Sequence, residues 1–464
     1  MHYAMGASLK LLVITRYYPP DAEIGGKRIA HLMRHLPSFG IEPIVLTADE
    51  NRCSSRDDSF PMPTVRVERT PVRDTILQKS GRWKARVLRL AAKGDTPAPN
   101  SAATEAPSYA QKVSFLRRHL MALLERPDRH IGWYRSAVDA GTRLVEKEGI
   151  GAILSSGPPW TCHLIGRELK RKYGIPWITD YRDPWTLGSW RDLEEMPAWR
   201  DWMDRRQERS LVRTADRVLS VTREMREMFE HAYADMPASK FIFLPNGFDD
   251  ALVAPVPAAR GKSTQRLILH LGTLYGDRRV DTFCGAVSSL VSTGGMSADS
   301  IKVKLVGPVD EPSIVARAEA AAPELFSGTV EFCKPIPWGQ AQELLGSSDL
   351  LLIFQGSNRL AIPGKFYEYL LSGVPILAIT KPGALSAILE ETKSGCAADP
   401  DSVEEIQSQL VRALDMPIRS RQEVLRTAGR FHFRSLAQQL AGVVQECVHG
   451  GAVSRAHATP VEVA

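Results

Sequence analysis

Pro363-Gly364-Lys365-Phe366-Tyr367-Glu368-Tyr369-Leu370 opens an apolar-periodic stretch in which Lys365 and Glu368, three residues apart, share one helix face. Such a pair is either a surface ion pair or, where the helix starts at a cleft, an ammonium for phosphate beside a carboxylate for sugar hydroxyls. Gly272-Thr273-Leu274-Tyr275-Gly276-Asp277-Arg278-Arg279 joins a flexible turn to two fixed positive charges. That suits a diphosphate; the plainer alternative is two solvated residues at a helix start. Gly25-Gly26-Lys27-Arg28 precedes Ile29, Leu32, Met33 and Leu36, so its backbone amides either receive an anion or form an ordinary turn. Asp180-Tyr181-Arg182-Asp183-Pro184-Trp185 gathers two carboxylates and a guanidinium, which make either a mutually oriented site or a buried structural pair.

Two patterns imitate metal sites. Asp399 and Asp401 form Asp-x-Asp, but Ala398-Asp399-Pro400-Asp401-Ser402 leads into Val403, Ile406 and Leu410, where turn and capping chemistry accounts for both acids. His31 and His35 have the spacing of helical metal ligands without a third candidate. No metal and no other cofactor are expected. The six cysteines (Cys53, Cys162, Cys284, Cys333, Cys396, Cys447) contain no Cys-x-x-Cys pair, which points away from zinc and from a disulfide framework and fits a reducing cytoplasm.

These stations fall where a parallel sheet would put them, just after its strands. Short apolar, β-branched runs predict strands at Lys10–Arg16, Pro43–Ala48, Val65–Arg69, Ala152–Ser156, Trp177–Tyr181, Val218–Thr222 and Phe241–Pro245. A second series follows at Leu267–Gly272, Val303–Gly307, Val330–Cys333, Leu350–Phe354, Pro375–Ile379 and Gly395–Ala398. Helical patterns separate the runs, so the expected class is α/β with two doubly wound, Rossmann-like domains. The Pro- and Gly-bearing stretch 254–264 reads as a linker between residues 1–253 and 265–419. An amphipathic helix is predicted over Ser420–Cys447, counted to 448, with a disordered tail over 449–464.

With 464 residues, 44% hydrophobic, 24% charged and a net charge of +6, the chain matches ordinary globular proteins and is neither collagen-like nor wholly disordered. No run approaches the roughly 20 apolar residues of a membrane span, and the start lacks an export signal, so a cytoplasmic protein is expected. One region departs from the average. Between Ile76 and Arg126 lie ten Lys and Arg against three acids, on two basic amphipathic patterns around a Pro- and Ala-rich loop. Either these helices cover the sheet with their charges in water, or they attach the protein peripherally to an anionic membrane. A basic stripe with interleaved aromatics is missing, so nucleic acid is not an expected partner.

Taken together, these segments resemble the family 4 glycosyltransferases of GT-B architecture. The likeness is carried by Tyr17-Tyr18-Pro19-Pro20 with Gly25-Gly26, Ile175-Pro176 to Asp183-Pro184-Trp185, Pro245-Asn246-Gly247-Phe248-Asp249, Gly272-Thr273-Leu274, Leu305-Val306-Gly307, Ser347-Ser348-Asp349-Leu350 and Pro363 to Tyr369 before Gly373-Val374-Pro375. The resemblance implies two domains facing each other across a cleft, and retaining transfer of a sugar from a nucleotide diphosphate donor. The acceptor would be a saccharide or lipid-linked, in surface polysaccharide or glycolipid biosynthesis. It further implies donor contacts from Gly25, Gly26, Gly272, Thr273, Lys365 and Glu368, with Ile336 in the base-contacting turn. Arg278, Arg279, Lys365 and Asp183 would be the catalytic groups, Asp180, Arg182 and Asp183 would face the acceptor, and the last helix would cross back to the first domain. Two positions depart from the family. Leu360 stands where a first Glu is usual, and Tyr181-Arg182-Asp183 lies where many members carry a His. The alternatives on the same architecture are a sugar-nucleotide epimerase or hydrolase, and a non-catalytic sugar-nucleotide-binding homologue.

Overall fold

The computed structural model describes residues 8–21, 23–53, 56–58, 60–75, 119, 122–188, 196–250 and 265–456. The expected linker at 254–264, most of the basic stretch at 76–126 and residues 457–464 lie outside them. The chain divides into two compact units, residues 1–219 with 233–240 and 442–464, and residues 220–232 with 241–441.

β1 (Leu9–Ile14) shows why the first sheet is covered on both faces, since Leu11, Leu12, Val13 and Ile14 are all fully buried. The other strands are β2 (Ile41–Ala48), β3 (Arg66–Thr70), β4 (Ala152–Gly157), β5 (Trp177–Tyr181), β6 (Arg217–Ser220) and β7 (Phe241–Phe243), in the order β3-β2-β1-β4-β5-β6-β7. β1 pairs in parallel with β2, Leu9 opposite Ile41, and with β4, Leu11 opposite Ala152. The helices between them are α1 (Ile24–His35), α2 (Tyr134–Glu148), α3 (Thr161–Tyr173), α4 (Ala198–Thr214) and α5 (Arg223–Ala232). α3 begins where Asp128 accepts the Thr161 N–H at 2.9 Å and its hydroxyl at 2.8 Å, a cap supplied from a distant segment.

The second sheet holds β8 (Arg266–Leu271), β9 (Ile301–Val306), β10 (Val330–Cys333), β11 (Leu350–Phe354), β12 (Ile376–Ile379) and β13 (Gly395–Ala398), in the order β10-β9-β8-β11-β12-β13. Its helices are α6 (Val280–Ser292), α7 (Pro312–Ala321), α8 (Trp338–Ser347), α9 (Lys365–Ser372), α10 (Ala384–Thr392), α11 (Val403–Leu414), α12 (Arg421–Ala428) and α13 (Phe433–Ala456). Strand alternation divides the core. Ile268, Leu350 and Leu352 pack with Phe283 and Leu410 on one face, while Leu269, Leu351 and Ile353 pack with Phe366 and Leu370 on the other. In both sheets the order reverses beside the first strand, at β1/β4 and at β8/β11, and such a reversal opens a crevice at the strands' carboxyl ends.

The C-terminal pattern differs from one continuous helix. It breaks at Gly429–His432 because the Phe248 N–H donates to the Phe431 carbonyl at 3.0 Å and the Phe433 N–H to the Phe248 carbonyl at 2.9 Å, drawing His432 into extended backbone. α13 then runs through Gly450-Gly451 to Ala456, past the end expected at 448, because glycine lowers helix stability by only about 1 kcal/mol per residue. All six cysteines are free thiols. No helix of the described residues is long and apolar enough to cross a membrane.

Candidate functional site

The crevice beside β8 and β11 gathers fixed positive charge. Gly272 follows β8 with φ +131°, and a Cβ there would run into the Lys365 ammonium. Gly307, after β9 with φ +144°, leaves no room for a side chain against the Gly272 carbonyl. The turn is pinned by the Gly272 N–H on the Val306 carbonyl at 2.8 Å and the Leu274 N–H on the Pro308 carbonyl at 2.9 Å. α9 starts at Lys365, and four residues on, the Tyr369 hydroxyl accepts the Leu271 N–H at 2.8 Å, fastening the helix to the end of β8.

Lys365 therefore points its charge at the turn. Burial, and then the positive charge of Arg278, bring its ammonium down to about 8, while Glu368 acts in the opposite sense. Glu368 is exposed on the same helix. The Arg278 guanidinium is held by Nε on the Phe354 carbonyl at 3.0 Å and Nη1 on the Tyr275 carbonyl at 2.9 Å, with its carbon 3.4 Å from the Tyr275 ring centre. Asp277 accepts the Ser357 N–H at 2.7 Å, joining this turn to the loop after β11. Below them His270 is fully buried, its Nδ1–H on the Leu352 carbonyl at 3.0 Å. Burial, reinforced by Lys365, keeps it neutral, well below the usual imidazole range.

Arg279 is engaged elsewhere, pairing with Asp281 at 3.2 Å and Asp401 at 2.7 Å. Asp399 and Asp401 also meet Lys381, at 2.8 and 2.6 Å. Asp399 accepts the Asp401 N–H at 2.9 Å, and Ser402 caps α11 by accepting the Glu405 N–H at 3.1 Å, which is turn and capping chemistry. Thr273 is half-buried beside Gly272, and Ile336, between β10 and α8, packs on the core that carries α9.

In the first unit, the ends of β4 and β5 meet the start of α1. Arg28 pairs with Asp180 at 3.0 Å, both almost fully buried, and the Ser156 hydroxyl donates to Asp180 at 2.7 Å. Arg182 donates to the Ser156 Oγ at 2.7 Å and to the Pro158 carbonyl, and its guanidinium occupies the space where a Gly25 side chain would stand. Gly26 brings α1 against the Tyr17 carbonyl, a Cβ there lying 3.0 Å away. Burial would raise the Asp180 carboxyl, but Arg28 beside it holds it below its ordinary value. Asp183 is exposed and makes no hydrogen bond to the described residues; crowding by surrounding protein raises its carboxyl, against the pull of Arg182. His31 packs edge-on against Phe60, with ring centres 5.2 Å apart.

Two family models cover most of the chain, the glycosyl transferase 4-like domain over residues 25–247 and the glycosyl transferases group 1 over residues 265–416. The chain belongs to the family 4-type glycosyltransferases of GT-B fold. No curated protein matches the sequence. Among solved structures, sucrose-phosphate synthase from Thermosynechococcus elongatus is similar at 17% identity and TM-score 0.61, over 95% of this chain and 100% of that one. HepE of Anabaena in complex with UDP and glucose matches at 14% identity and TM-score 0.54, over 97% and 99%. The lipopolysaccharide outer core galactosyltransferase WaaB matches at 12% identity and TM-score 0.52, over 95% and 99%.

In this glycosyltransferase the structure brings Gly272, Arg278 and Lys365 together, with Thr273 beside Gly272 and Glu368 exposed on the helix of Lys365, and it gathers Gly25, Gly26, Asp180 and Arg182 around the start of α1. Sequence reasoning missed Tyr369 as a fastener of β8, the Phe354 carbonyl as a holder of Arg278, and buried His270. Tyr369 carried a signal in its place one helical turn after Lys365; the other two depend on chain crossings that no local pattern encodes. The role of Gly272 is directly testable. Gly272→Ala is expected to displace the Lys365 ammonium and strain the turn, costing about 1–3 kcal/mol and at least ~10-fold in nucleoside diphosphate affinity, read by thermal unfolding and calorimetry.

Proposed function

We propose that this glycosyltransferase moves a sugar from a nucleoside diphosphate to a saccharide or lipid-linked acceptor, with retention of anomeric configuration and without a metal. The observation that carries the reading is Lys365 packed on Gly272 with Arg278 beside it, at the crevice where the strand order reverses. As the glycosidic bond breaks, the leaving diphosphate gathers charge, and two fixed cations in a partly desolvated site stabilise that charge more than the ground state. Glu368 receives ribose hydroxyls, and Ile336 lies against the base. Arg279, tied to Asp281 and Asp401, supports the start of α6. Gly25 and Gly26 are read as donor contacts at the start of α1, Asp183 offers the acceptor hydroxyl an exposed carboxylate, and Asp180 and Arg182 hold that corner together.

The likeness to HepE, whose structure contains UDP and glucose, supports a nucleotide-sugar donor. The likeness to WaaB, a lipopolysaccharide outer core galactosyltransferase, supports a place in surface polysaccharide or glycolipid synthesis, and the basic composition of 76–126 fits peripheral attachment to an anionic membrane. Calorimetric titration with UDP, GDP, ADP and CMP tests the donor. One nucleoside diphosphate should bind selectively, and Glu368→Ala should weaken it by about 1–3 kcal/mol, roughly 5- to 150-fold. Absence of binding by folded protein would favour the non-catalytic reading, and conversion of the sugar nucleotide without acceptor would favour an epimerase or hydrolase.

A further inference from the structure

α4 buries charge and exposes an aromatic, the reverse of an ordinary surface helix. Arg200, Asp204 and Glu208, each four residues apart, form the buried stripe. Arg200 pairs with Asp204 at 2.7 Å and donates to the Pro127 carbonyl at 2.7 Å and to the Ala122 carbonyl. Arg126 reaches Asp204 at 3.3 Å and the Gln207 side chain at 3.0 Å. This clamp fixes the rotation of α4 and binds to it the segment that carries Leu123, a side chain 60% exposed.

The outward stripe is Trp202, Arg206, Arg209 and Arg213, at the i, i+4, i+7, i+11 spacing of one helix face, with Arg205 alongside. Trp202 is 60% exposed, and the Arg206 guanidinium lies 5.1 Å from its ring centre. Among the described residues, two acids pair with these arginines: Asp201 with Arg205 at 2.6 Å, and Asp235 with Arg209 at 2.7 Å and Arg213 at 3.0 Å. Among the described residues, four exposed arginines stand against these two carboxylates, an excess of positive charge along the outward face. We propose that the outward face of α4 docks on an anionic lipid bilayer, with Trp202 seated at headgroup depth and the arginines on lipid phosphates. A protein partner is less well matched, because the apolar content is one Trp and one Leu rather than the packed core that such interfaces bury. The proposal deepens the membrane-side reading above and rests on it, but uses α4 rather than the basic stretch.

The test is sedimentation of the full chain with vesicles of phosphatidylcholine alone and of phosphatidylcholine with phosphatidylglycerol. Wild-type protein should sediment only with the anionic vesicles and be released by salt. R206Q/R209Q/R213Q should lower the partition coefficient about 10- to 100-fold, and Trp202→Ala several-fold, with thermal midpoint and nucleoside diphosphate binding unchanged. Variants that sediment as wild type does would overturn the α4 surface while leaving membrane attachment standing. Wild-type protein that ignores anionic vesicles, or binds both kinds equally, would overturn both. Nucleotide titration on the same samples reports separately on glycosyl transfer.

Discussion

Lys365→Ala is expected to weaken nucleoside diphosphate binding about 10- to 150-fold and to lower turnover by about 100- to 1,000-fold, because it removes a charge-assisted contact from a partly desolvated site. The pH dependence is more specific. Burial, then Arg278, hold the free-state ammonium at about 8, and a bound diphosphate favours its charged form. Affinity should therefore be flat below about pH 7 and fall up to tenfold per unit above pH 8, with proton uptake on binding there. Calorimetry in buffers of different ionisation enthalpy measures that uptake. In Lys365→Arg, whose guanidinium stays charged, the alkaline fall should vanish even if affinity drops, and an unchanged slope would place the titrating group elsewhere.

Asp180→Asn should have the largest effect on stability. Asp180 and Arg28 are 1% and 4% exposed, so neutralising the carboxylate takes the opposing charge from a buried guanidinium, at a cost of about 3–5 kcal/mol. The first unit should melt roughly 6–20 °C lower. The acid limb gives the sign. A carboxyl held below its ordinary value contributes stability that is present above about pH 4 and is lost as pH falls through its folded value, so that contribution should be absent from the variant. A variant that melts like wild type yet fails to use acceptor would move Asp180 from a structural pair into direct substrate contact.

All the strands expected from apolar runs are present, each within two residues of the expected ends, and Trp177–Tyr181, Val330–Cys333, Leu350–Phe354 and Gly395–Ala398 coincide. Strands buried on both faces announce themselves, because most of their positions are apolar, as in Leu350–Phe354. The C-terminal helix was less legible, since its break is imposed by the pairing of Phe248 with His432, about 180 residues away in sequence. Spacing placed Lys365 and Glu368 on one face, but could not distinguish Arg278 from Arg279. Their identical side chains diverge only because Phe354 offers a carbonyl to one and Asp401 a carboxylate to the other. Asp180 reads equally well in the sequence as site or as structural pair, and its depth of burial beside Arg28 is a property that a sequence does not encode locally.

The bond from the Leu271 amide to the Tyr369 hydroxyl joins the end of β8, just before Gly272, to the helix that carries Lys365 and Glu368. Turn and helix are thus coupled before any ligand arrives, and no segment between them need be ordered at the moment of capture. The conformational entropy of bringing this turn and this helix together is lost during folding rather than during recognition. Donor encounter should then resemble docking onto a preset surface, fast and weakly dependent on solvent viscosity beyond diffusion. The hydroxyl of a buried tyrosine would govern how quickly a sugar nucleotide is recognised.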